Sequence, residues 1–402
     1  MGLNSTPSAQ RTHIGFFGRR NAGKSMLINA VTHQNLSVVS DIAGTTTDPV
    51  YKAMELLPLG PVMLIDTAGL DDDGDLGELR VQKTKQVLNK TDIALLVVDS
   101  RDGITGKDAE ILETLKAKNI PYLIVFNKSD LSPSAEIPED ALSVSALTGE
   151  GVEELKRRIA ALSPATDPTL RLVGDLISPS DFVVLVVPID SAAPKGRLIL
   201  PQQQTVRDIL DAGATAVVVK EDGLRDTLAG LGKKPKLVVT DSQVFGTVAA
   251  LTPDDVPLTS FSILFSRYKG NLKQQISAVK KLDSLQNGDC VLIAEGCTHH
   301  RQCDDIGSVK IPRWIKNHTG REILFEFSSG AEFPEDLSKY ALIVHCGGCM
   351  LNEAEMKHRL RRASEAGVPV TNYGMLIAFV QGVLKRGVGL FPDVLALLEK
   401  DS

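Results

Sequence analysis

The stretch "HIGFFGRRNAGKSMLINAV", His13 to Val31, decides how the rest of the chain is read. A short apolar run leads through a glycine-rich turn into a segment of helix length. Gly18 to Ser25, "GRRNAGKS", fits the spacing G-x-x-x-x-G-K-S/T. Glycines in such a turn let backbone N–H groups close around phosphate oxygens. Lys24 places a cation on the β- and γ-phosphates, and Ser25 offers a hydroxyl to Mg2+. The helix N-terminus adds a dipole that favours anions. Gly18, Asn21, Ala22, Gly23, Lys24, Ser25 and Met26 are therefore the candidate phosphate cradle. A plain glycine turn is the competing reading. An apolar strand before it and a helix after it argue against that.

Four further segments follow in order. "AGTTTD", Ala43 to Asp48, has Thr46 as its candidate Mg2+ ligand. "DTAG", Asp66 to Gly69, ends an apolar strand. Asp66 can reach Mg2+ through water, and Gly69 can offer its N–H to the γ-phosphate. "NKSD", Asn127 to Asp130, also ends an apolar strand. A carboxylate at Asp130 can accept both N1–H and the 2-amino group of guanine, a donor pair adenine lacks. Asn127, Lys128 and Asp130 therefore predict GTP over ATP, with Ser145 and Ala146 of "SAL" closing the base side. Lys24, Thr46, Asp66 and Gly69 are the residues expected to act in hydrolysis. The ordered set resembles a Ras-like P-loop GTPase, and within it the group that includes Era and the tRNA-modifying GTPase MnmE. That resemblance implies that Asn21 helps to bind K+. The residue after "DTAG" is Leu70, and an apolar side chain cannot orient the attacking water. Intrinsic hydrolysis should be slow, or assisted by K+, a partner or another residue.

Composition narrows what the remainder can be. The chain has 402 residues, 43% hydrophobic and 23% charged, with a net charge of −6. That length supports two to four domains. The acidic balance and 4% aromatics argue against nucleic-acid binding. No apolar run is long enough to cross a bilayer, and the N-terminus has no apolar core of a secretory signal. A cytoplasmic location is expected.

Short β-branched runs alternate with helix-length segments, the pattern of an α/β fold with mostly parallel sheets. "SPATDPTLR", Ser163 to Arg171, and "TPDDVP", Thr252 to Pro257, punctuate it. Three α/β domains are expected: residues 1–165, 166–257 and 258–402. In the third, "SFSILF", "CVLIAE", "EILFEF" and "YALIVHC" read as strands.

The five cysteines are Cys290, Cys297, Cys303, Cys346 and Cys349. An odd number without an export signal argues against a disulfide framework. "HCGGC", His345 to Cys349, lies between a strand and the helix "NEAEMKHRLRRASEAG". Asn352 suits its N-cap, Glu355 a capping box and Gly367 its end. "CTH", Cys297 to His299, also follows a strand. Ligands in open parallel sheets bind beyond the strands' carboxyl ends, so Cys297, Cys346 and Cys349 can converge. Zn2+ would need His299 or His345 as a fourth ligand; a [4Fe–4S] cluster would leave one iron without a cysteine. Cys290, inside an apolar strand, reads as core.

A GTPase domain, a middle α/β unit and this Cys/His pattern together resemble the HydF family, the GTP-binding scaffolds of [FeFe]-hydrogenase maturation. The resemblance spans the whole chain. It implies a [4Fe–4S] cluster on Cys297, Cys346 and Cys349 with an exchangeable fourth position. It also implies a scaffold on which two radical-SAM maturases build a di-iron precursor that is then passed to the apo-[FeFe]-hydrogenase. A middle domain that forms a homodimer, or a higher oligomer, by pairing sheets belongs to the same resemblance. The alternative is an RNA-modification or ribosome-associated GTPase with a structural Cys/His zinc site.

Overall fold

In the computed structural model the residues described are 8–32, 49–67, 75–131, 137–163, 171–189, 198–269, 272–296, 305–330, 332–348 and 351–399. For 75–82 this extends to the backbone alone. Strands β1 (Thr12–Phe17), β2 (Val50–Leu56), β3 (Gly60–Asp66), β4 (Ile93–Asp99), β5 (Tyr122–Asn127) and β6 (Leu142–Ser143) form one sheet in the order β2-β3-β1-β4-β5-β6. Only the β2–β3 pair is antiparallel. Every residue of β4 is buried, because a central parallel strand is covered on both faces. The sheet accordingly has two cores. Ile14, Leu95 and Val97 face one side, and Phe17, Ile65 and Val98 the other.

A second sheet comprises β7 (Phe182–Val186), β8 (Thr215–Val219), β9 (Leu237–Thr240) and β10 (Leu258–Ser260), in the order β10-β9-β7-β8. The third has β11 (Cys290–Ala294), β12 (Leu324–Ser328), β13 (Leu342–His345) and β14 (Val370–Asn372), in the order β12-β11-β13-β14. All pairs in both are parallel. The α/β class with mostly parallel sheets is as the sequence predicts. Residues divide into two compact units: Met1–Ala165 with Met350–His358, and Thr166–Cys349 with Arg359–Ser402. The second and third sheets share one hydrophobic core inside the latter unit. Among the described residues no helix is long and apolar enough to cross a membrane.

Two expectations are corrected. "SFSILF" is not a strand: Phe261–Tyr268 is a helix, and Ser260 Oγ caps it by accepting from Ile263 N at 3.3 Å. A short apolar run does not separate buried strand from buried helix, and the cap decides. Leu258–Ser260 moreover pairs with β9, so a boundary at 257/258 would cut a strand from its own sheet. Helix Glu353–Glu365 does begin as its sequence suggests, with Asn352 Oδ1 accepting from Glu355 N at 3.2 Å.

At the amino end of β1, His13 is 4% exposed, and its N–H donates to Asp92 Oδ2 at 2.8 Å. Burial pushes His13 down to about 4 and Asp92 up to about 6. The two oppose each other. His13 contributes stability that is full above pH 6.5 and is lost as pH falls to about 4. Asp92 contributes stability that is full below pH 3.8 and is lost as pH rises through about 6. A His13→Asn variant keeps an amide to face the Arg11 carbonyl and removes only the histidine's share. Its first unit is expected to become less stable between pH 4 and 6, by up to about 3 kcal/mol. Urea midpoints at both pH values test this; a variant that gains stability over that interval contradicts it.

Candidate functional site

The phosphate loop joins β1 to helix Lys24–Thr32. Two of its glycines are obligatory. Gly18 has φ +139° and a Cβ there would sit 2.2 Å from Val97 O; Gly23 has φ +89° and would meet Asn127 Nδ2 at 2.2 Å. Asn21 is exposed at φ +61°, a region asparagine tolerates better than most side chains. Lys24 is buried and donates to Gly18 O at 2.9 Å and Arg19 O at 2.8 Å, so its ammonium sits within the loop. Ser25 Oγ donates to Asp66 Oδ2 at 2.5 Å. Asp66 Oδ1 is buried with no hydrogen-bond partner among the described residues. Burial pushes the Asp66 carboxyl up, against the Ser25 bond and the Lys24 charge. A serine hydroxyl beside a buried, under-satisfied carboxylate is the donor set a hard divalent cation takes. Met26, beyond Ser25, is exposed.

The base side is built by side chains that tie loops together. Asn127 Nδ2 donates to Ala22 O at 3.0 Å, and Asn127 Oδ1 accepts from Ala146 N at 3.0 Å. Ser145 Oγ donates to Asp130 Oδ1 at 2.6 Å, which orients that exposed carboxylate. Lys128, at φ +65°, pairs with Asp99 Oδ2 at 2.7 Å. The structure thus brings Gly18, Ala22, Gly23, Lys24, Ser25, Asp66, Asn127, Asp130, Ser145 and Ala146 into connected loops. Thr46, Gly69 and Leu70 lie outside the described residues.

In the second unit β11 and β13 are neighbours, with Ala294 opposite His345. Their carboxyl ends bring Gly296 and Cys346 together. Cys346 N donates to Ala294 O at 2.8 Å, and Cys346 Sγ accepts from Gly296 N at 3.0 Å and Gly348 N at 3.4 Å. Gly348 has φ +61°, the left-handed turn that "HCGGC" needs glycine for. Lys269 Nζ reaches Gly347 O and Gly348 O at 3.3 and 3.2 Å. Glu295 is buried and accepts from the Tyr373 hydroxyl at 3.2 Å. Burial, and then Glu295, pushes that phenol up.

Cys297, His299 and Cys349 lie outside the described residues, and among those described no three His, Cys, Asp or Glu side chains surround a common point. Cys290 opens β11, about 13 Å of strand from its carboxyl end. It stands away from the turn and is half-buried, not part of the core that the sequence suggests. His345 departs from the sequence expectation. Its Nδ1 lies 2.7 Å from Cys346 O and its Nε2 3.1 Å from Arg359 Nη1, so both ring nitrogens are engaged within the protein. As folded, neither is available to a metal.

Residues 172–270 match the family model of the Hydrogen maturase F dimerization domain, and residues 273–390 that of the Hydrogen maturase F tetramerization domain. Between them they take in more than half of the chain. The chain belongs to the hydrogen maturase F family. Residues 13–128 match the family model of the 50S ribosome-binding GTPase. Along that part it is 40% identical over 153 residues to the tRNA modification GTPase MnmE of Chromobacterium violaceum, covering 37% of this chain and 34% of that one. To MnmE of Aquifex aeolicus it is 38% identical over 151 residues, covering 36% and 33%. The chain thus spans about a third of the length of these curated relatives. An Aquifex aeolicus Era variant bound to GDP·AlF4– superposes with a TM-score of 0.35 at 22% identity, covering 52% of this chain and 93% of that one. A superposition this loose carries no weight.

Three further residues near the cysteines carry no mark in the sequence. Arg359, Tyr373 and Lys269 face the cysteine turn from three separate elements. Arg359 sits in "RLRR", where a charged run reads as a solvated helix face. Nothing in its spacing marks one arginine as buried.

Proposed function

We propose that this chain is a GTP-binding and GTP-hydrolysing scaffold that carries a [4Fe–4S] cluster and assembles and transfers the di-iron precursor of the [FeFe]-hydrogenase active site. Membership of the hydrogen maturase F family carries this reading. Cys297, Cys346 and Cys349 hold the cluster. The Cys346 Sγ with two backbone donors, at the mouth of a parallel sheet, fits a metal thiolate. When bound, the cluster presents one iron to an exchangeable ligand. His299, His345, Glu295 and Asp305 lie close enough in sequence to compete for it, and of these His345 is engaged on both ring nitrogens within the protein.

In the first unit Lys24 and the loop N–H groups bind phosphate, and Ser25, Asp66 and Thr46 hold Mg2+. Asp130, oriented by Ser145, selects guanine. Hydrolysis is slow, because Leu70 offers no group to position water; K+ bound at Asn21 raises it. Nucleotide state orders or releases the segments around Thr46 and Gly69, which changes affinity for the two radical-SAM maturases and for the apo-hydrogenase. The middle domain makes the dimer, and the protein works in the cytoplasm without nucleic acid. The GTPase relatives invite an RNA-linked reading with structural zinc, but its only support is the first third of the chain.

Anaerobic purification, reconstitution with iron and sulfide, and EPR of the reduced protein test the scaffold. A reduced [4Fe–4S] signal is expected in the unaltered chain and none in Cys346→Ser. Stoichiometric zinc with no such signal would overturn the reading.

A further inference from the structure

A guanidinium is expensive to bury unless each donor is matched. Arg359 is 1% exposed, in helix Glu353–Glu365. Its Nη2 donates to Gly330 O at 2.6 Å, and its Cζ lies 5.0 Å from the centre of the Phe333 ring. Its Nη1 lies 3.1 Å from Nε2 of His345, itself 1% exposed. Arginine only donates, so Nε2 must be the accepting nitrogen. The ring proton is then on Nδ1 and donates to Cys346 O at 2.7 Å. We propose that Arg359 is a positioning residue for the metal-binding turn, fixing the tautomer and orientation of His345 and, through it, the backbone of Cys346.

The relay is closed at both ends. Cys346 N is held by Ala294 O while its carbonyl is held by His345, so both peptide groups flanking its Cα are anchored. Sγ then lies where Gly296 N and Gly348 N reach it. Loss of Arg359 leaves Nε2 without that donor, frees the ring to change tautomer, and loosens the hold on the Cys346 carbonyl. The role toward a cluster rests on the function proposed above; the hold on Cys346 does not.

Anaerobic alkylation of the full apo-chain by iodoacetamide, followed peptide by peptide, separates this from general support of the fold. Cys346 and Cys290 are both half-buried, and Cys290 lies at the amino end of β11, which makes it an internal reference. Arg359→Leu is expected to speed Cys346 alkylation about tenfold with Cys290 unchanged, and Arg359→Lys to stay within about threefold. Equal acceleration of both cysteines, or of neither, would overturn the proposal. Should Arg359→Leu fail to fold, His345→Leu cuts the relay from its other end, and the same selective rise at Cys346 is required. After reconstitution, Arg359→Leu should release iron to a chelator about tenfold faster than the unaltered chain. If the unaltered chain takes up no cluster, the scaffold reading fails and the alkylation result still decides this one.

Discussion

Lys24→Ala is expected to lose GTP binding by about a thousandfold and to keep its full iron content after reconstitution. Two charge-assisted bonds to phosphate, at about 1.5–3 kcal/mol each, set that scale. The lysine now spends its donors on Gly18 O and Arg19 O, carbonyls of the loop it serves. Alanine is a strong helix former at the start of helix Lys24–Thr32, so the unit should remain folded. Lys24 and Cys346 belong to different compact units with separate hydrophobic cores. Calorimetry with GTP, beside iron analysis of the same sample, reads both effects. Iron lost along with nucleotide would mean that the two sites are not separable.

Asp130→Asn should turn the base preference from guanine to xanthine. The carboxylate accepts two donors from guanine, whereas an asparagine amide accepts one and donates where xanthine carries a carbonyl. Exchanging a paired acceptor for a clash of donors is expected to weaken GTP about a hundredfold or more. XTP should gain correspondingly. Ser145 Oγ, 2.6 Å from Asp130 Oδ1, can orient either side chain, so the change falls on the ligand and not on the loop. Competition between the two nucleotides for the same sample is the measurement. Undiminished GTP selectivity would remove Asp130 from base recognition.

Much of this was legible because local chemistry sufficed. A glycine at positive φ, the lysine directly after it and a carboxylate at a strand's end are set by spacing along the chain. The glycine turn before helix Lys24–Thr32 and the "NKSD" turn after β5 therefore stand where the sequence places them. The turn at Cys346 is equally local, since Gly348 must be left-handed for "HCGGC" to fold back.

What escaped reading were contacts between segments far apart in sequence. Leu258–Ser260 is a strand only because β9 pairs with it, and Phe261–Tyr268 a helix because Ser260 caps it. The exposed edge strand β2 earns its place by antiparallel pairing with β3. His345 offers two nitrogens in the sequence and none in the fold, because Arg359, fourteen positions later in an apparently solvated run, turns inward to meet it. Motif residues were determined by the chain's own order. Whether a polar side chain serves as ligand or as support was decided by burial, which obliges each donor and acceptor to find a partner and lets packing choose which one.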